Sequence, residues 1–99
     1  MPELNRAFIG VGGLSFDFGL TDYNDLEVSL RKVIVGRAEQ VVVLADSSKF
    51  GVRAFSAIAD IHCMDVLVTD ANIHPDTRSQ LEAIGVDVMV TDLNPANNA

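Results

Sequence analysis

Positive charge is scarce in this sequence. Seven Lys and Arg face 14 Asp and Glu, leaving a formal net charge of −7. Nucleic-acid backbones are held by clustered basic residues, so this chain itself is expected to make no direct contact with DNA or RNA. The acids are scattered and read as a solvated acidic surface. Cysteine is nearly absent. Cys63 stands alone, no internal disulfide can form, and a reducing compartment is the natural setting. Long apolar runs are also missing. None approaches the ~18 residues a membrane helix needs, and "MPELNRAFIG" at the start lacks a signal-peptide core. These absences point to a soluble, cytoplasmic chain with no membrane contact.

What the sequence does hold is core material. Hydrophobic residues make up 48% of 99, enough for one domain, residues 1–99, around one core. So short a domain buries a smaller share of its surface than a large one, and association would add stability.

"RAFIG" (Arg6–Gly10) is an apolar run that stops at glycines and predicts a buried strand. "VGGLSFDFGLTDYN" follows, with three glycines and two Asp, and is expected to be a long loop. From Asp25 to Ala38 the spacing becomes helical: Leu26, Leu30, Val33, Ile34 and the Arg37 stem fall on one face, with Asn24 or Asp25 as the cap. "QVVVLAD" (Gln40–Asp46) is a continuous β-branched run. It predicts a strand covered on both faces, as in parallel sheets. "FGVRAFSAIADIHCM" reads either as a strand leading into a short helix or as a helix throughout. "DVLVTD" (Asp65–Asp70) is a further strand. "HPDTRSQLEAIG" is a helix with His74 near its cap, Pro75 in its first turn and Gly85 at its end. "VDVMVTD" (Val86–Asp92) is the last strand, and "LNPANNA" a frayed tail. Alternation of strands and helices predicts an α/β layer fold with a mostly parallel sheet.

In open sheets of this kind, ligands bind beyond the carboxyl ends of the strands. The polar residues gather there: Gly10, Gly12 and Gly13 after the first strand, Asp46 to Lys49 after the second, then Thr69 with Asp70, and Thr91 with Asp92. Strand ends also carry turn residues for purely structural reasons, so position alone leaves both readings open. The glycines do not make a dinucleotide fingerprint, because Ser15 stands where the third glycine belongs and no helix opens there. His62, Cys63 and His74 lack metal-ligand spacing, and Cys63 fits a small core residue better, so neither a metal nor a cofactor is expected.

The Asp46–Lys49 pair carries more chemistry. Backbone N–H groups in a turn such as "SSKFG" can cradle an anion, a Lys adds a point charge for phosphate, and a carboxylate accepts from sugar hydroxyls. Glu27, in the first helical turn, would point at the same rim. The structural alternative is Asp46 capping the turn and Lys49 in water.

The stretches "FIGVGGLSFDFGLT", Glu27, "VVVLADSSKFG", "DVLVTD" and "AIGVDVMVTD" occur in one order and spacing over roughly residues 6–92. In this the chain resembles the C-terminal part of the sugar-phosphate-sensing domain of DeoR-family bacterial transcriptional repressors. The resemblance implies a Rossmann-like partial domain, similar in fold to ribose-5-phosphate isomerase and glucosamine-6-phosphate deaminase. It implies a phosphorylated sugar effector whose binding alters the grip of a separate helix-turn-helix domain on DNA. By the same resemblance, Gly10, Gly12, Glu27, Asp46 and Lys49 line or shape the pocket, while Gly13 matches the family pattern less well. The helix-turn-helix and the first part of the sensor domain, with its own phosphate loop, have no counterpart in these residues. Uncovered apolar sheet surface and self-association into a homo-oligomer are therefore expected. An enzyme of the related fold and a non-binding assembly fragment are the alternatives; Glu27 or Asp46 as base with Lys49 would serve the first.

Overall fold

The computed structural model describes residues 4–91. In chain order it contains β1 (Leu4–Gly10), β2 (Gly13–Ser15), β3 (Gly19–Asp22), α1 (Asp25–Arg37), β4 (Ala38–Leu44), β5 (Ser56–Ala59), β6 (Val66–Thr69), α2 (Pro75–Ala83) and β7 (Asp87–Val90). A four-stranded parallel sheet runs β1-β4-β6-β7, and a small antiparallel sheet runs β2-β3-β5. The α/β class and the parallel sheet are as the alternation of elements predicts. Asp92 and the "LNPANNA" tail lie outside the described residues.

Each step from β1 to β7 moves the same way across the parallel sheet. Right-handed crossovers then put every connection on one face. That face carries Ile9, Val41, Val43, Leu67 and Val88, all buried with Leu14, Leu20, Val28 and Leu81 from the covering elements. The opposite face exposes Phe8, Leu44 and Met89 around Val42 and Val66, which are buried among them. Phe8 is 62% exposed. Within β4, Val41, Val42 and Val43 are all buried, so the middle of the run is covered on both faces as its composition predicts, and the Val42 face opens to solvent at Leu44.

The expected loop after β1 is in fact a hairpin. β2 and β3 pair from Gly13–Thr21 to Ser15–Gly19, around a three-residue turn of Phe16, Asp17 and Phe18. Gly19 takes φ +70, the left-handed conformation such hairpins favour. The segment left open by its sequence resolves as a short strand, β5, followed by a single 3-10 turn at Ile61–Cys63.

The phase of α1 also differs from expectation. Val28 is the side chain it buries, with Ile34 and Val35 packed beside the core. Leu26, Leu30 and Val33 are 82%, 62% and 50% exposed. The helix has two apolar stripes, and long-range polar contacts select between them. Arg31 pairs with Asp22 of β3, and the Ser56 hydroxyl donates to Asp25. These ties fix the rotation of α1 and leave the Leu26 stripe outside.

Candidate functional site

An open cleft of about 490 Å³ lies beyond the carboxyl ends of β1 and β4. Gly10, Gly12, Glu27, Asp46 and Lys49 all line it. The structure thus brings together the five residues singled out in the sequence, from β1 and its following loop, α1, and the turn after β4. Asp22, Tyr23 and Arg31 line it too. These three were missed, and the one local signal was the i,i+4 spacing of Glu27 and Arg31.

The turn after β4 is a 3-10 turn, Ser47–Lys49, and Asp46 caps it. The Asp46 carboxylate accepts from the Ser48 N–H at 2.9 Å and from the Ser48 hydroxyl. The expected anion nest is not available. Ser47 N–H donates to Asp70 Oδ2 at 3.0 Å, Lys49 N–H to the Asp46 carbonyl at 3.0 Å, and Gly51 N–H to the Leu14 carbonyl at 2.8 Å. Internal acceptors already satisfy these donors, so an anion here would rely on side chains. Accepting the Ser47 N–H is the first of the contacts that hold the Asp70 carboxyl below its ordinary value. Asp70, at the end of β6, thereby fixes the turn that carries Lys49.

The charges in the cleft are unequally committed. Arg31 is held by Asp22 and reaches Glu27 Oε2 at 3.4 Å. Among the described residues no carboxylate pairs with Lys49, whose side chain is half-buried rather than fully in water. Lys49 is the cation left to meet an anionic group. Glu27 and Asp46 supply acceptors suited to hydroxyls.

Glycines set how closely the walls approach. A Cβ on Gly12 would lie 2.9 Å from Asp22 Oδ1 and 3.1 Å from the Tyr23 ring. On Gly10 the nearest atom would be the Leu44 carbonyl at 3.9 Å, an ordinary contact. Gly13 lies outside the cleft lining and is constrained hardest: its Cβ would meet the Val52 carbonyl oxygen at 2.2 Å. Its role is to let β2 pack on the 50–54 segment.

Away from the cleft, Cys63 packs against the core, and burial pushes its thiol up to about 11. His62 pairs with Asp60 at 2.6 Å on the surface. Among the described residues, no three His, Cys, Asp or Glu side chains are placed to hold a metal, and no helix is long and apolar enough to cross a membrane.

A parallel α/β sheet with a polar cleft at its strand ends is the general form of a small-molecule-binding domain. The comparison with known proteins makes this specific. Residues 3–71 match the DeoR C terminal sensor domain family, and the chain belongs to it. Over 87 residues it is 35% identical to the HTH-type transcriptional regulator GlpR of Haloferax volcanii, covering 88% of this chain and 34% of that protein. It is 33% identical over 92 residues to the uncharacterized HTH-type transcriptional regulator YulB of Bacillus subtilis, covering 93% and 36%. With the HTH-type transcriptional repressor GlcR of Bacillus subtilis it shares 32% over 90 residues, covering 91% and 34%. These relatives are transcriptional regulators, not enzymes. The chain spans about a third of their length.

Proposed function

We propose that the cleft is the effector site, or part of it, of a DeoR-type regulator. The effector is a phosphorylated sugar or a related metabolite, and its binding controls a helix-turn-helix domain in the rest of a cytoplasmic, homo-oligomeric protein. In this reading the chain is the C-terminal part of the sensor domain, Rossmann-like and akin to the sugar-phosphate isomerases in fold. The observation that carries it is the convergence of Gly10, Gly12, Glu27, Asp46 and Lys49 on one cleft in which Lys49 has no carboxylate partner among the described residues. Lys49 would take the phosphate, and Glu27 and Asp46 the sugar hydroxyls. The test is DNA binding by a full-length regulator containing this chain, titrated with a panel of sugar phosphates. One member of the panel should shift the DNA affinity, and its unphosphorylated sugar should not. A panel without any effect would remove the reading.

A second reading, an assembly fragment that binds no ligand by itself, is favoured by the uncovered sheet face and the openness of the cleft. Thermal-shift titration of the 99-residue chain and of the full-length regulator, side by side, separates the two. The enzyme alternative loses ground because the relatives are regulators.

A further inference from the structure

A helix on the outside of an α/β layer normally turns a polar face to water. α1 does not. Val28 faces the sheet with Ile34 and Val35 beside it, while Leu26, Leu30 and Val33 form a second apolar stripe on the outer side. Tyr23 and Phe55 add exposed aromatic surface near the N-terminal end of α1. Their rings meet edge-on at 5.3 Å, and Phe55 is 87% exposed. Phe55 is kept there by its neighbour Ser56, whose hydroxyl donates to Asp25 in the first turn of α1. A helix that is apolar on opposite faces is the middle layer of something thicker.

We propose that the outer face of α1 docks against the same face of a second copy, with the two helices antiparallel. Charge and spacing select this occupant. The stripe repeats at i, i+4 and i+7, so a two-fold axis near its midpoint sets Leu26 against Val33 of the other copy and Leu30 against Leu30. The flank of the stripe is acidic at its start, Asp25, and basic further on, Lys32. Antiparallel two-fold pairing keeps this flank against itself and brings Asp25 within about one helical turn of the other copy's Lys32, whereas parallel two-fold pairing puts the two copies' flanks on opposite sides of the seam and forgoes that pair. Ser29 and Gly36 lie on that flank, and Gly36 has nothing within 4 Å of its missing Cβ, so the helices have room to approach.

The bare sheet face is a different surface. It is the second side of a parallel sheet, which proteins cover within one chain. The relatives are about three times as long as the matched stretch and have chain enough to do so. The α1 stripe lies on the opposite side of the core from that face.

The test is sedimentation velocity of the 99-residue chain over a range of concentrations, with circular dichroism as the folding control. The expected result is a dimer that Leu30→Glu weakens at least ~10-fold, as does Leu26→Lys, both with unchanged spectra. Phe8→Glu on the sheet face is expected to leave this dimer intact. Leu30→Cys should form an intermolecular disulfide readily, since two-fold pairing sets that position against itself. A chain that is monomeric throughout, a dimer indifferent to Leu26→Lys, or a dimer broken by Phe8→Glu alone would overturn the proposal. Effector binding does not enter this test, so its failure leaves the reading of the cleft untouched.

Discussion

Replacing Gly13 with alanine tests how the hairpin is seated on the molecule. The new Cβ would lie 2.2 Å from the Val52 carbonyl oxygen, 2.8 Å from its carbon and 2.8 Å from Thr21 Oγ1. Two of these atoms are backbone, so no rotamer change relieves the overlap. β2 and the 50–54 segment must separate by about 1 Å to reach ordinary contact. Two hydrogen bonds tie the hairpin to that segment: Gly51 N–H to the Leu14 carbonyl of β2 at 2.8 Å, and Ala54 N–H to the buried Thr21 Oγ1 of β3 at 2.9 Å. Overpacking alone costs about 1–3 kcal/mol, and weakening these bonds adds about 1 kcal/mol. A loss of about 3 kcal/mol would lower Tm by roughly 12–24 °C in a chain of this size. Gly10→Ala is the control, because its Cβ meets nothing closer than 3.9 Å. It should change stability by less than about 1 kcal/mol in either direction. Thermal and urea unfolding of both variants decide the matter. A Gly13→Ala protein melting within about 3 °C of the parent would refute the packing argument.

Three further outcomes follow from single groups. Thr69 Oγ1 is fully buried and has no hydrogen-bond partner among the described residues, so Thr69→Val should be neutral or stabilising by about 1 kcal/mol in urea unfolding; a clear loss would mean the hydroxyl has a partner. The Cys63 thiol is raised from 9.0 to about 11, which makes its thiolate about 100-fold rarer at pH 8. Its reaction with a chromogenic disulfide should be slower by about that factor than in the urea-unfolded chain, and a difference under about tenfold would contradict the burial. The Asp70 carboxyl is lowered from 3.8, so its contribution is fully present above that value and is lost as the pH falls through the lower folded-state value. The stability gap between parent and Asp70→Asn should be flat near neutral pH and close below about pH 4; a gap that persists in acid would show that Asp70 does not act through its charge.

Legibility in the sequence followed the range of the interactions. α2 was readable because its signals are local. His74 Nδ1 accepts from Asp76 N–H at 3.1 Å, Pro75 opens the helix, and Gly85 follows it at φ +95. Gly10, Gly12, Asp46 and Lys49 were placed on a common rim because strand ends in a parallel sheet face the same way. The phase of α1 was not readable. Leu26, Leu30 and Val33 recur at helical spacing, as Val28 and Val35 do, and the contacts that choose between the two faces, Arg31 with Asp22 and Ser56 with Asp25, join separate elements. The same long reach hid Asp22 and Tyr23 from the site, since a β3 of four residues between glycine and the α1 cap resembles a loop. The nest after β4 failed for a related reason: Asp70, 23 residues away, takes the Ser47 N–H.

In the proposed function, Lys49 holds the phosphate of a sugar-phosphate effector. Calorimetric titration of the full-length regulator, parent against Lys49→Ala, with each sugar phosphate and its unphosphorylated sugar tests it most directly. The expected result is a phosphate-dependent affinity that Lys49→Ala weakens by ~10–100-fold, the loss of one charged hydrogen bond. An affinity unchanged by Lys49→Ala, or equal for the sugar without its phosphate, would contradict it.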